Sequence, residues 1–245
     1  KATSGKVGSG ASIAVDYADN DYTAALGTGA SVYAGSISVT STNHKVDVPS
    51  TFDITQYASP AEIKSGNSLK DLQTGLNTTP LIGVGNYYAE AIGGAQGSNV
   101  AVQGSFAVMV FDDTVNASIG KSLTGAASTA SSLDVGSGAV TLLSESDLKA
   151  AALSGAFVIT TGSVGVGVSS SVIVSSGTTQ SLFDGAAAVT AAGAFSDRAL
   201  ASQDISVYGI SAAGGDSVGI AGVATVITSA NDVEALIGAG ARIDV

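Results

Sequence analysis

The residues able to do chemistry are few and scattered. His44 is the only histidine and cysteine is absent, so no disulfide or thiolate metal site can form. A histidine-based metal centre or a Ser-His-Asp triad would have to gather every other member around one imidazole in the polar stretch Thr40–Lys45. His44 therefore reads as a solvated loop residue. The densest oxygen cluster is Asp16, Asp19, Asn20 and Asp21. Calcium takes six to eight oxygens, and Asp16, Asp19 and Asp21 could supply some of them if neighbouring segments supplied the rest. The competing reading is an Asx turn, in which these side chains bond their own backbone. At the equivalent positions stand Asp112 and Asp113, then Ser176 and Gly177, then Asn231 and Asp232. Turn formers persist there while the acids thin out, which favours the turn and leaves calcium as the one metal to consider.

Other chemistry finds less support. Gly165-Val166-Gly167 and Gly238-Ala239-Gly240 give two glycines of a dinucleotide fingerprint but not the third, and no Gly-Lys-Ser/Thr follows them. They fit bends and close backbone approaches better than a phosphate cradle. A polysaccharide-cleaving enzyme needs carboxylates gathered on one exposed face. Here the acids are dispersed, and Arg198 and Arg242 are the only arginines. No catalytic residue and no cofactor is expected. Tyr87 and Tyr88 could offer an aromatic surface to a glycan, although neighbours on a strand point to opposite faces. Phe106 and Phe183 read as internal packing.

The elements around these residues must be built from small and β-branched side chains. Hydrophobic residues make up 45% of the 245, yet aromatics only 5%, with 32 glycines and no tryptophan. Such a mixture suits thin, stacked sheets. Charged residues are 12%, and the net charge of −11 argues against nucleic acid and against an anionic membrane surface. No apolar run approaches the ~18 residues of a membrane helix, so membrane insertion is not expected.

A repeat organises the chain. A 28-residue block recurs at 7–34, 100–127, 164–191 and 218–245, with starts 93, 64 and 54 residues apart. Val7, Val100, Val164 and Val218 align. So do Val15, Val108, Val172 and Val226, and Leu26, Ile119, Phe183 and Ile237. These twelve are expected to form core ladders, each piling on its equivalent in the next coil. Alternation such as Val218, Ile220, Ala224 and Val226 against Gly219, Ala221, Val223 and Thr225 predicts strands. Each block is read as two strands about a polar corner at Asp19–Asp21 and its equivalents, and the 54-residue spacing as two coils of roughly 27 residues. Ile37–Val39, Ala156–Thr160 and Ile205–Ile210 supply further strands.

All three prolines, Pro49, Pro60 and Pro80, fall within 49–82, where a ladder donor is missing. Ser59-Pro60-Ala61-Glu62 forms a capping box. Ser68 and Asp71 give a second start, with Leu69, Leu72 and Leu76 at helical spacing. Residues 49–82 are expected to leave the repeat as a loop with one or two short helices and to be the most specialised surface. Ser144–Leu153 reads as a further helical patch. The expected fold is a single all-β domain over 1–245, a parallel β-helix or β-solenoid with that loop-helical insertion.

Three stretches carry a resemblance: Val218-Gly219-Ile220-Ala221-Gly222, Asn231-Asp232-Val233-Glu234-Ala235 and Ile237-Gly238-Ala239-Gly240-Ala241. The pattern is similar to repeats of very large secreted adhesins of Gram-negative bacteria, the leukotoxin-type filamentous adhesins, related in architecture to filamentous haemagglutinins. It covers most of the chain except 49–82, and the second block departs from it after Gly120. The resemblance implies an exported, surface-displayed bacterial rod with no catalytic residues. Its partner would be a protein or glycan on a host or neighbouring cell. Because both ends of the chain are repeat-like, a second expectation is end-to-end association of copies into an extracellular filament or surface layer.

Overall fold

In a computed structural model, residues 2–3, 6–44, 48–50, 82–121, 129–191 and 193–245 are described. Fifteen strands follow one another, with no helix among the described residues. Four of 20 residues form one long parallel sheet, the front sheet: β2 (Val7–Leu26), β8 (Val100–Ile119), β11 (Val164–Phe183) and β14 (Val218–Ile237). A second long sheet, the back sheet, holds β1 (Ala2–Thr3), β7 (Tyr87–Gly97), β10 (Val140–Thr160) and β13 (Phe195–Gly214), and β4 (Ile37–Asn43) pairs with the first part of β10. A short side sheet joins β3 (Ser31–Tyr33), β9 (Ser131–Gly136), β12 (Ala187–Ala191) and β15 (Arg242–Asp244). The chain visits front, side and back sheets in that constant order. Every pairing within these three sheets is parallel.

The repeat sets the register. Val164 pairs with Val218 and with Val100, which pairs with Val7, and the match holds without a bulge to Phe183, Ile237, Ile119 and Leu26. Three expectations are corrected here. One circuit through the three sheets spans the whole 54 residues from Val164 to Val218, because the intervening strands belong to other sheets. Nor is there a corner at Asp19–Asp21: β2 runs unbroken through it. The third correction concerns Ser144–Leu153, which lies within β10 as strand rather than helix. Pairing with β4, β7 and β13 supplies partners for its backbone and overrides a local leaning toward helix. Of the proline-bearing stretch, β5 (Val48–Ser50) and β6 (Ile82–Val84) pair antiparallel. The helix starts read at Ser59 and Ser68 lie outside the described residues.

Which face of each long strand turns inward is decided by space. Ala101, Gln103, Ser105, Ala107, Met109 and Phe111 of β8 are at most 2% exposed, whereas Val102 and Phe106 between them are 41% and 48% exposed. Hydrophobicity alone would choose the opposite phase. The front and back sheets, however, approach so closely near residues 8, 165 and 219 that these glycines have no room for a Cβ, while Ala101 in the same register packs with Ala95 and Val158. A Cβ at Gly8 would lie 2.1 Å from the Gln96 carbonyl oxygen, one at Gly219 2.5 Å from that of Ala213, and one at Gly165 2.7 Å from that of Gly214. Slightly farther along, inward serines bridge the gap. Ser12 donates to the Ile92 carbonyl at 3.1 Å, Ser105 to Gly155 at 2.6 Å and Ser171 to Tyr208 at 2.7 Å, so the buried hydroxyls are satisfied.

The gap then widens toward the side sheet. There Ile119, Phe183, Leu133, Val140, Leu142 and Val189 form a cluster of fully buried apolar side chains, with Leu26 and Phe195 packed against it. The cross-section is a wedge, thin at the glycine end. Gly165→Ala should therefore destabilise by about 1–2 kcal/mol through overpacking, while Val164→Thr on the outward side should change stability by less than ~0.5 kcal/mol. Thermal melts of the two variants check this.

Candidate functional site

A candidate site must be sought among three features: the acidic positions of β2, a buried polar cluster and the outer face of the front sheet. Alternation along β2 splits the acids. Asp16 pairs with buried Met109 on the inward side, while Asp19 and Asp21 point outward with Asp112 and Thr114. Asp21 accepts a hydrogen bond from the Thr23 hydroxyl at 2.7 Å. The three carboxylates thus do not converge on one ion, and among the described residues no group of three or more His, Cys, Asp or Glu could hold a metal. The Asx-turn reading is likewise replaced by continuous strand. His44 sits exposed just past β4, its carbonyl accepting from Asn86 Nδ2 at 2.9 Å. Gly165 and Gly167 face inward against the back sheet, and Gly240 bends the chain toward β15 with φ of +93°.

The buried cluster escaped sequence reasoning. Asp113 is 5% exposed on the inward face of β8. Its Oδ1 accepts from the Tyr87 hydroxyl at 2.6 Å and from Asn20 Nδ2 at 3.1 Å, and Asn20 also meets the Tyr87 hydroxyl. Oδ2 has no hydrogen-bond partner among the described residues. The Tyr87 ring stacks on Phe111 with centroids 4.7 Å apart. Burial first, then donation to Asp113, pushes the Tyr87 phenol well above the ordinary tyrosine range, and burial with the Asp113 charge raises Tyr22 too. A phenol that holds its proton this firmly positions the carboxylate rather than transferring protons near neutrality. Tyr88, the next residue, faces outward and donates to Glu90 Oε2 at 2.5 Å.

A third inward carboxylate, Asp197 on β13, pairs with Leu142 and accepts from the Ser181 hydroxyl. Its Oδ2 is unpartnered among the described residues. Burial raises its carboxyl above the usual 3.8, and Ser181 offsets this in part. A raised folded-state value means that the folded chain favours the protonated form. This stabilisation is complete below about pH 3.8 and is lost as pH rises through the folded value. Asp197→Asn should therefore melt higher than the parent at neutral pH, with the difference vanishing toward pH 3.5. Melting curves across that range check the sign.

The outer face of the front sheet is the most distinctive surface. The Val7 and Val15 ladders stack in register, but outward: Val7 is 59% exposed, Val15 69% and Val226 49%. Only the ladder of Leu26, Ile119, Phe183 and Ile237 turns inward, with Ile119 and Phe183 fully buried. Phe106, expected inside, lies outside. The outward positions from Val7 to Tyr17, and their partners in β8, β11 and β14, carry no charge. Beyond them Asp19, Asp21, Asp112, Asp232 and Glu234 line the other half, and none of the four strands contains Lys or Arg. The back sheet differs, with Glu145, Asp147, Lys149, Arg198 and Asp204 at outward positions. Comparison with protein-family models, curated proteins and solved structures returns no match.

Proposed function

We propose that this chain is a parallel β-solenoid segment with a structural and adhesive role in a secreted or cell-surface bacterial protein. The observation that carries the reading is the register: the first twenty residues of the four blocks stack residue on residue while the chain passes through three parallel sheets in one order. The adhesin-like pattern in the last block supports export and display. The circuit is much broader than a narrow rod's. A 20-residue strand extends for about 66 Å, whereas each added circuit raises the stack by only ~4.8 Å. The segment is then a blade that lengthens into a rod by adding circuits, and its long faces are what a partner meets. That partner is a protein or glycan on a host or neighbouring cell, and no catalytic step is assigned.

Beads coated with the chain should adhere to cultured epithelial cells above albumin-coated beads, and protease or glycosidase treatment of the cells would separate protein from glycan partners. Adhesion no better than albumin removes the adhesive role. Turnover of an acidic polysaccharide would replace the reading with an enzyme.

Assembly by edge pairing is a second reading, favoured by one observation. Strand β14 is an outer strand of the front sheet, and its inward Val223 and Ile227 are each 50% exposed. Continuing the register onto β2 of another copy would set Asp16 beside Ile227 and Asp21 beside Asp232, an unfavourable join. Filaments seen by electron microscopy would nonetheless establish it.

A further inference from the structure

From the outer face of the front sheet we infer that two copies of this chain pair face to face, across a two-fold axis parallel to the stacking direction. The uncharged field spans ten residue steps from Val7 to Tyr17 on four strands, or about 33 Å by 19 Å, roughly 600 Å². That is at the upper limit of what soluble monomers usually leave open, ~300–600 Å², and approaches the ~800 Å² per partner of a standard interface.

Charge selects the arrangement. With the axis along the stack, strand direction reverses across the interface while strand order is kept. The two uncharged halves then overlap, and the acidic halves carrying Asp19, Asp112 and Asp232 project at opposite ends. An axis along the strands would instead superimpose acid on acid in front sheets that contain no Lys or Arg.

Relief fits the same axis. Phe106 stands out beside a hollow at Gly104, where an added Cβ would meet only the Phe106 ring edge at 3.9 Å. With the axis midway between these two columns, Phe106 of one copy lies over Gly104 of the other, and Ile13, 72% exposed, lies over Ala11. Large meets small in both directions, as a self-complementary two-fold contact requires. This pairing does not depend on what the segment adheres to.

Sedimentation velocity of the 245-residue chain between about 1 and 100 µM tests it. The parent should form dimers, more tightly at high salt, where repulsion between chains of net charge −11 is screened. Gly104→Val fits the free monomer yet fills the hollow, and Val108→Lys charges the field. Each should raise the dissociation constant at least about tenfold with the melting temperature held or raised. Thr141→Lys on the back sheet should leave it unchanged. A parent that stays monomeric to 100 µM overturns the inference. So does association indifferent to both front-sheet variants, which would point to strand edges instead.

Discussion

Phe183→Ala is expected to lower stability by about 3–5 kcal/mol, the loss typical of a buried aromatic. Phe183 has no exposed surface and meets Phe195 edge-on with centroids 5.1 Å apart. It also stands between Ile119 and Ile237 in the inward ladder, so a hole there strips contacts from the circuits on either side. For a chain of this size the melting temperature should fall by roughly 6–20 °C. Phe106→Ala is the matched control. Its ring is 48% exposed on the outer face, and its removal should cost less than ~1 kcal/mol. A larger loss from Phe106 than from Phe183 would mean that inside and outside have been exchanged.

Tyr87→Phe should cost about 2–3 kcal/mol, although it removes one oxygen atom. The ring and its stack on Phe111 remain, but the Asp113 carboxylate, 5% exposed, keeps only Asn20 as a donor. An under-satisfied buried charge is penalised more than the net worth of a hydrogen bond. Tyr17→Phe, at a site 70% exposed, should be neutral within ~0.5 kcal/mol. The same contact predicts a response to alkali. Tyr87 is held protonated above its ordinary value of 10.0, so its contribution is whole below that value. It is lost as pH rises beyond it, because the unfolded chain ionises first. Tyrosinate absorbance should show Tyr87 ionising only as the fold opens, and Tyr87→Phe should flatten that part of the alkaline melting profile.

How legible this was in the sequence differs from residue to residue. The alignment of Val7, Val100, Val164 and Val218 is direct, because a parallel register matches equivalent residues of successive circuits. The side they face is not. Alternation establishes two faces without naming the buried one, and valines against glycines favour the wrong choice when burial is taken to follow hydrophobicity. Gly8, Gly165 and Gly219 are inside because the facing backbone leaves no room, a constraint set by strands far away in the chain. The Asp16–Asp21 run reads as a corner for a similar reason. Turn-forming residues are tolerated in mid-strand when a neighbour in register holds the backbone, and β8 does so. Asp113 and Tyr87 are 26 residues apart and lie in different sheets. Only one cue in the sequence pointed to them, an acid at an inward position among Phe111 and Val115, and without the phase it could not be read.

Thiol accessibility along β8 tests the central claim most directly, and a chain without cysteine suits it. Single cysteines placed from Val102 to Met109 are exposed to a maleimide under native conditions, at a protein concentration low enough to keep the chain monomeric. Val102, Gly104, Phe106 and Val108 variants should label quickly, with Gln103, Ser105, Ala107 and Met109 variants slow until the fold is melted. Protected valine positions beside reactive Gln103 and Ser105, or labelling with no period of two, would contradict the account.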